Sequence, residues 1–266
     1  MTGSRGTLYL VPTPLDFGCS EQAPLDHALP AEATRIAARL PHWICENAKS
    51  TRAFLKRVNE MAPLATPLQQ LDIAELPREV HKKGDHEGAP AGFDAGKLLA
   101  PALAGEDVGL LSEAGMPAVA DPGSSVVRAA HELGIRVVAL PGPVSLLLAL
   151  AASGLNGQNF AFVGYLPQEP TERSQRIREL ESLALRGGQT QIFIETPYRN
   201  AALLKGLMQT LQLNTRLAVS SGLTLASGKT HSATVKTWRQ WGQQQPDGHP
   251  QQAPDNQTPA VFALGR

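Results

Sequence analysis

Short apolar runs alternate with amphipathic segments along this chain, the pattern made when helices cover both faces of a mainly parallel sheet. The apolar runs predict strands over residues 7–11, 43–45, 108–111, 135–140, 160–166, 191–194, 216–220 and 260–264. The clearest unit spans 108–140. It reads as a strand, a turn, a helix with Val126, Val127, Ala130 and Leu133 on one face, Gly134 as the stop, and a second strand. That is a βαβ crossover. A helix from about Thr171 places Ile177, Leu180 and Ala184 together, and another after Pro197 aligns Leu203, Leu204, Leu207 and Leu211.

Residues 137–168 carry no charge, which raises the question of a membrane span. Pro141-Gly142-Pro143, Ser153-Gly154 and the turn Asn156-Gly157-Gln158-Asn159 interrupt the segment, so it reads as a strand, a helix and a strand. The turn at 156–159 is the expected domain boundary, giving two α/β domains, 1–156 and 157–266. A mainly parallel sheet is expected in the first. Two polar stretches read as surface loops: 77–92, which includes His81, Asp85, His86 and Glu87, and 241–258, expected to be mobile.

Composition narrows the class. At 266 residues, with 42% hydrophobic content, the chain can bury one large or two modest cores. Lys plus Arg and Asp plus Glu number 24 each, so no global field draws it to nucleic acid or an anionic membrane. Any RNA contact must be local. Cys19 and Cys45 lack metal-site or disulfide spacing, and the start of the chain lacks a signal-type apolar run, which together favour the cytoplasm.

In open α/β sheets ligands bind beyond the carboxyl ends of the strands. Glu46, Glu113 and Glu195 each follow a predicted strand, and Pro12-Thr13-Pro14 and Pro141-Gly142-Pro143 end two more in rigid turns. The densest stretch is Ser112-Glu113-Ala114-Gly115-Met116-Pro117, followed by Asp121-Pro122-Gly123. Its glycines permit positive φ or close approach, so backbone polar groups can face a small polar ligand. Asp121 or Ser124 can equally serve only as the cap of the following helix. No dinucleotide-binding glycine fingerprint, P-loop, nucleophile elbow or zinc-protease motif is present, and no metal site is expected.

Four ordered groups of residues resemble the tetrapyrrole methylase superfamily: 112–123; Leu140-Pro141-Gly142-Pro143 with Ser145 and Ala151-Ala152-Ser153-Gly154; 162–167; and Glu195-Thr196-Pro197-Tyr198-Arg199. Within it they are most similar to the 2′-O-ribose methyltransferases of small-subunit ribosomal RNA. The resemblance implies two α/β domains, the second with a mixed sheet, binding S-adenosylmethionine between them, and a homodimer. It assigns cofactor binding to Ser112, Glu113, Ala114, Gly115, Met116, Pro117, Gly142, Pro143, Ser145, Phe162 and Leu166. Pro12, Thr13 and Pro14, with Arg52, Tyr198 and Arg199, would meet substrate. The substrate-side motifs depart from the usual pattern, as in Glu46-Asn47-Ala48-Lys49 and Tyr198-Arg199, which points to a divergent acceptor.

Methyl transfer to a ribose hydroxyl needs alignment, exclusion of water and removal of a proton. Glu46 and Glu195 are the candidate general bases, although Glu195 can instead complement a helix start at Thr196-Pro197. Lys49, Arg52, Lys56 and Arg57 form a basic helical face, suited to an RNA backbone or simply solvated. Three readings follow: a methyltransferase acting on structured RNA, one with a small-molecule acceptor, and a cofactor-binding protein without turnover.

Overall fold

A computed structural model describes residues 4–77, 93–246 and 248–266. The polar stretch containing His81, Asp85, His86 and Glu87 lies outside the described residues. Two compact units are present.

The first unit takes the chain to Phe17 and from Ala23 to Val144. Its strands are β1 (Thr7–Val11), β2 (His42–Cys45), β3 (Asp72–Glu75), β4 (Val108–Leu111) and β5 (Arg136–Ala139). They pair in the order β3-β2-β4-β1-β5, all parallel. The helices are α1 (Ala31–Arg39), α2 (Ala48–Met61), α3 (Ala100–Leu103) and α4 (Ser124–Glu132). Strand residues alternate between two cores. Trp43 and Leu111 pack with Ile36 of α1 and Leu55 of α2, while Ile44 and Leu110 pack with Val126 and Ala130 of α4. Burial on both faces explains why β4 is apolar throughout and fully buried.

Register then fixes the site. Val11 pairs with Leu111, and Leu111 with Cys45, so the three central strands end level. Residues 12, 112 and 46 therefore leave one edge of the sheet side by side, on strands spaced about 4.8 Å apart.

The second unit takes Gly18–Gln22 and Ser145–Arg266. It contains β6 (Phe160–Tyr165), β7 (Thr190–Glu195), β8 (Arg216–Ser221), β9 (Lys229–Thr234) and β10 (Ala260–Gly265). Their order is β6-β7-β10-β8-β9, with β6 and β7 parallel and the remaining pairs antiparallel, so the sheet is mixed as expected. The helices are α5 (Ser145–Ser153), α6 (Pro170–Gly187), α7 (Asn200–Thr210) and α8 (Val235–Gln243). Ile177, Leu180 and Ala184 of α6 and Leu203, Leu204 and Leu207 of α7 share one core with Phe193, Phe262 and Trp238.

Two expectations change here. The division falls after Val144 rather than at 156–159, because α5 packs on β8, β9 and β10. The 156–159 turn is itself tied to the second unit, where Asn156 donates to the Gly188 carbonyl at 2.7 Å. The expected mobile loop 241–258 is also partly built structure. Its first residues finish α8, Pro250, Ala253 and Pro254 are buried, and the Asp255 carboxylate accepts from the Gln257 and Thr258 amides at 2.8 and 2.6 Å. Among the described residues no helix is long and apolar enough to cross a membrane.

Candidate active site

Three loops leave the level edge of the first sheet and are clasped together. Thr13 and Gly115 exchange backbone hydrogen bonds, Thr13 N–H to the Gly115 carbonyl at 2.9 Å and Gly115 N–H to the Thr13 carbonyl at 3.1 Å. The Thr13 hydroxyl also donates to the Ser112 carbonyl at 3.4 Å. Gly142 lies so close to Pro12 that a β-carbon there would stand 2.2 Å from the proline Cγ. Pro12, Thr13 and Pro14, expected to meet substrate, are all buried, and Thr13 ties two of these loops together.

The 112–123 loop stores strain. Gly115 and Gly123 have φ of +80° and +128°, and the non-glycine residues Ala118 and Ala120 are also left-handed, at +64° and +62°. For an L-residue that region costs roughly 1–2 kcal/mol. The loop is held there in part by Ala118 N–H donating to the Pro122 carbonyl and Val119 N–H to the Met116 carbonyl, each at 3.2 Å. Strain of this kind, over-determined by its surroundings, is typical of ligand-binding segments. Gly123 rather than Asp121 or Ser124 occupies the cap position of α4, and no side chain caps it, so the cap reading of Asp121 does not hold.

Carboxylates gather at the same edge. Glu46 follows β2 and accepts the Glu113 backbone N–H at 3.0 Å through Oε2. Asn47, next in the chain, caps α2 by accepting from the Lys49 and Ser50 amides at 2.9 and 3.1 Å, and Glu75 accepts from Ala48 N–H at 2.5 Å. Asp121 faces this group. Burial, then the nearby Glu46 charge, push its carboxyl up to about 7, with Glu113 adding to the shift and the Ser112 hydroxyl opposing it. Among the described residues no group of three His, Cys, Asp or Glu side chains is arranged to hold a metal ion.

The remaining expected residues fall into different surroundings. Glu195, with its side chain 3% exposed, accepts through Oε1 from the Thr196 amide at 2.7 Å, the Thr196 hydroxyl at 3.2 Å, and Arg199 Nε at 2.9 Å and Nη2 at 2.7 Å. Arg199 also lies over the Tyr198 ring, at 5.3 Å from its centroid, and Tyr198 is exposed. Ser145 opens α5 and Phe162 is exposed on β6, whereas Leu166 is buried in the second core that also holds Ile177 and Leu180. On α2, Lys49, Arg52 and Lys56 are exposed, but Arg57 leaves that face. It forms a two-pronged ion pair with buried Asp16, at 3.2 and 3.0 Å, and donates to the Ala23 carbonyl at 2.6 Å.

The family of Tetrapyrrole (Corrin/Porphyrin) Methylases matches residues 28–238. The chain belongs to this family. Among curated relatives, this tetrapyrrole methylase is 32% identical over 229 residues to "Ribosomal RNA small subunit methyltransferase I" of Mesorhizobium japonicum, a match covering 86% of the chain and 67% of the relative. The relative of the same name from Pseudomonas aeruginosa is matched over 58% of its length, so the chain spans about three fifths of these proteins. Among solved structures, the methyltransferase CobJ aligns with 18% identity and a TM-score of 0.55, covering 98% of this chain and 94% of that one. Uroporphyrin-III C-methyltransferase from Thermus thermophilus, solved with S-adenosylhomocysteine, aligns with 19% identity and a TM-score of 0.50 over 98% of both chains. These two likenesses establish the fold.

Proposed function

We propose that this tetrapyrrole methylase is an S-adenosylmethionine-dependent methyltransferase that acts on small-subunit ribosomal RNA, at a ribose 2′-hydroxyl. The observation that carries the reading is the strained 112–123 loop, clasped to the level strand ends, in a chain 32% identical to a ribosomal RNA methyltransferase.

The residues at this edge suit the cofactor. The Ser112 hydroxyl is a buried polar atom without a full hydrogen bond, and it opens a loop with four left-handed positions, a backbone form suited to contacts with a polar ligand. A sulfonium is a cation, and Glu46, Glu113 and Asp121 bring negative charge together at this edge. When bound, S-adenosylmethionine supplies a methyl group poised for displacement from sulfur. The chain's part is then to align the acceptor oxygen, keep water out and accept one proton. Gly142 and Pro143 brace the loop from the next strand end, and Lys49, Arg52 and Lys56 offer charge to an RNA backbone. A homodimer and a cytoplasmic location belong to the same reading.

A small-molecule acceptor is favoured by the zero net charge and by the loss of Arg57 from the basic face. Label transfer separates the two. With labelled S-adenosylmethionine and small ribosomal subunits lacking the modification, label should enter RNA as a 2′-O-methylated nucleotide. Label appearing only in small molecules of a cell extract would favour the second acceptor class.

A further inference from the structure

We propose that Asp121 is the group that takes the proton from the acceptor hydroxyl, with Glu46 as its positioning partner. This rests on the reading of methyl transfer to a hydroxyl. The carboxylates at the strand ends differ in how far their oxygens are already engaged. Glu195 already receives four donors on one oxygen, two of them from Arg199. Glu46 holds the Glu113 amide, so its geometry is committed to shaping the 112–123 loop. Asp121 sits on that loop, which leaves the level edge where β1, β2 and β4 end, and it is only part-buried.

An independent feature points to a ligand there. The Ser112 hydroxyl, in a residue 1% exposed, is directed at Asp121 but lacks the geometry of a full hydrogen bond within the chain. A buried hydroxyl left short of a partner costs about 1–3 kcal/mol, which a bound hydroxyl or carboxyl group would recover. The groups facing Asp121 are Glu46 from the end of β2 and Glu113 and Ser112 from the end of β4. Their two negative charges make Asp121 a better proton acceptor than an ordinary aspartate. Its carboxyl is pushed up to about 7, first by burial and then by Glu46, close to the value at which a base is both ionised and effective at neutral pH.

The step balances. The acceptor hydroxyl passes its proton to the Asp121 carboxylate, its oxygen bonds to the methyl carbon, and the carbon–sulfur electron pair stays on sulfur, which becomes a neutral thioether. Positive charge on sulfur and negative charge on Asp121 disappear together. The Asp121 proton then leaves to water.

Two readouts on the intact 266-residue chain test this. Carboxyl titration by infrared difference or 13C NMR, with no acceptor present, should find one group with a midpoint near 7. That group should be absent in Asp121→Asn and should move to lower pH in Glu46→Gln, whose amide oxygen can still accept the Glu113 N–H. In methyl transfer from S-adenosylmethionine to small ribosomal subunits, the rate should rise with pH through the same midpoint. Asp121→Asn should lower kcat by about 100-fold or more while binding S-adenosylhomocysteine normally, and Glu46→Gln should shift the rising limb downward. A wild-type carboxyl titrating in the ordinary aspartate range, or an Asp121→Asn kcat within about threefold of wild type, would overturn the proposal. Normal titration with no transfer to RNA would instead sink the RNA reading, and the role of base with it, while leaving the Asp121–Glu46 coupling established.

Discussion

Each unit carries carboxylates at the carboxyl end of a parallel strand, and the two groups live under opposite conditions. In the second unit Glu195 is deeply buried with Arg199 at 2.7 Å, and four donor contacts converge on a single oxygen. In the first, Glu46, Glu113 and Asp121 crowd together, and Asp121 gains a proton affinity far above that of a free aspartate. The carboxyl edge of a sheet thus carries a clamp where a cation arrives from the next turn, and a carboxyl of raised proton affinity on a loop where other acids gather. Burial raises the Asp121 carboxyl first and the Glu46 charge adds to it, whereas Arg199 pairs with the buried Glu195.

The largest effect is expected from removing the cation. Arg199→Ala leaves Glu195 buried and unpaired, which should cost about 3–5 kcal/mol in urea denaturation of the second unit. A cost below about 1 kcal/mol would show that Glu195 relaxes into solvent and that the contrast is overstated.

Next comes the pH dependence of the first unit. Asp121 binds its proton more tightly folded than unfolded, so the unfolded chain releases protons first and stability falls as pH rises from about 4 to 7. Allowing for partial exposure, a loss of roughly 2 kcal/mol is expected, and Asp121→Asn should flatten that slope. Hydrogen exchange of the β4 amides would report it. An unchanged slope in the variant would place the titration elsewhere.

The smallest effect lies at the opposite end of the same sheet. His42, at the start of β2, meets Asp72 at 3.0 Å and also Glu106. Burial disfavours its charge, but the two carboxylates outweigh this and raise its pKa. Its stabilisation is therefore complete at acidic pH, below the ordinary histidine value, and fades as pH rises through the raised one. Both partners are exposed, so His42→Gln should show only a slight loss, confined to low pH. A loss that persisted above pH 8 would assign His42 a packing role instead.

What the sequence revealed followed the strength of the apolar signal. Central strands such as β4 and β10, buried on every residue, were readable within a residue or two. The strands that escaped, β3 and β9, are both sheet edges with few buried residues and a polar composition, Asp-Ile-Ala-Glu and Lys-Thr-His-Ser-Ala-Thr. Helix α1 escaped because alanine supplies much of its buried stripe. Helix α5 is apolar nearly all round, so its pattern could not tell which sheet it covers.

At the site, the strand-end rule found Glu46, Glu113 and the 112–117 turn, because position along a strand is local information. The state of Asp121 was hidden, since it arises from burial and from the charge of Glu46 on another strand. The withdrawal of Arg57 was hidden likewise, because it depends on Asp16, 41 residues away. The signal that was available is Asp121-Pro122-Gly123 just before a helix; that the cap falls on Gly123 and not on the aspartate is visible only in the structure.

The central claim is that the strained loop at the end of the first sheet holds the cofactor, and calorimetric titration with S-adenosylhomocysteine tests it most directly. Gly115 is the residue to change, because at φ +80° a valine would be strained and its β-carbon would stand 3.0 Å from Leu15 Cδ2. The account predicts saturable binding to the wild-type chain, on the order of −8 kcal/mol, and its loss in a folded Gly115→Val variant. No binding by the folded wild type, or equal binding by both proteins, would contradict it.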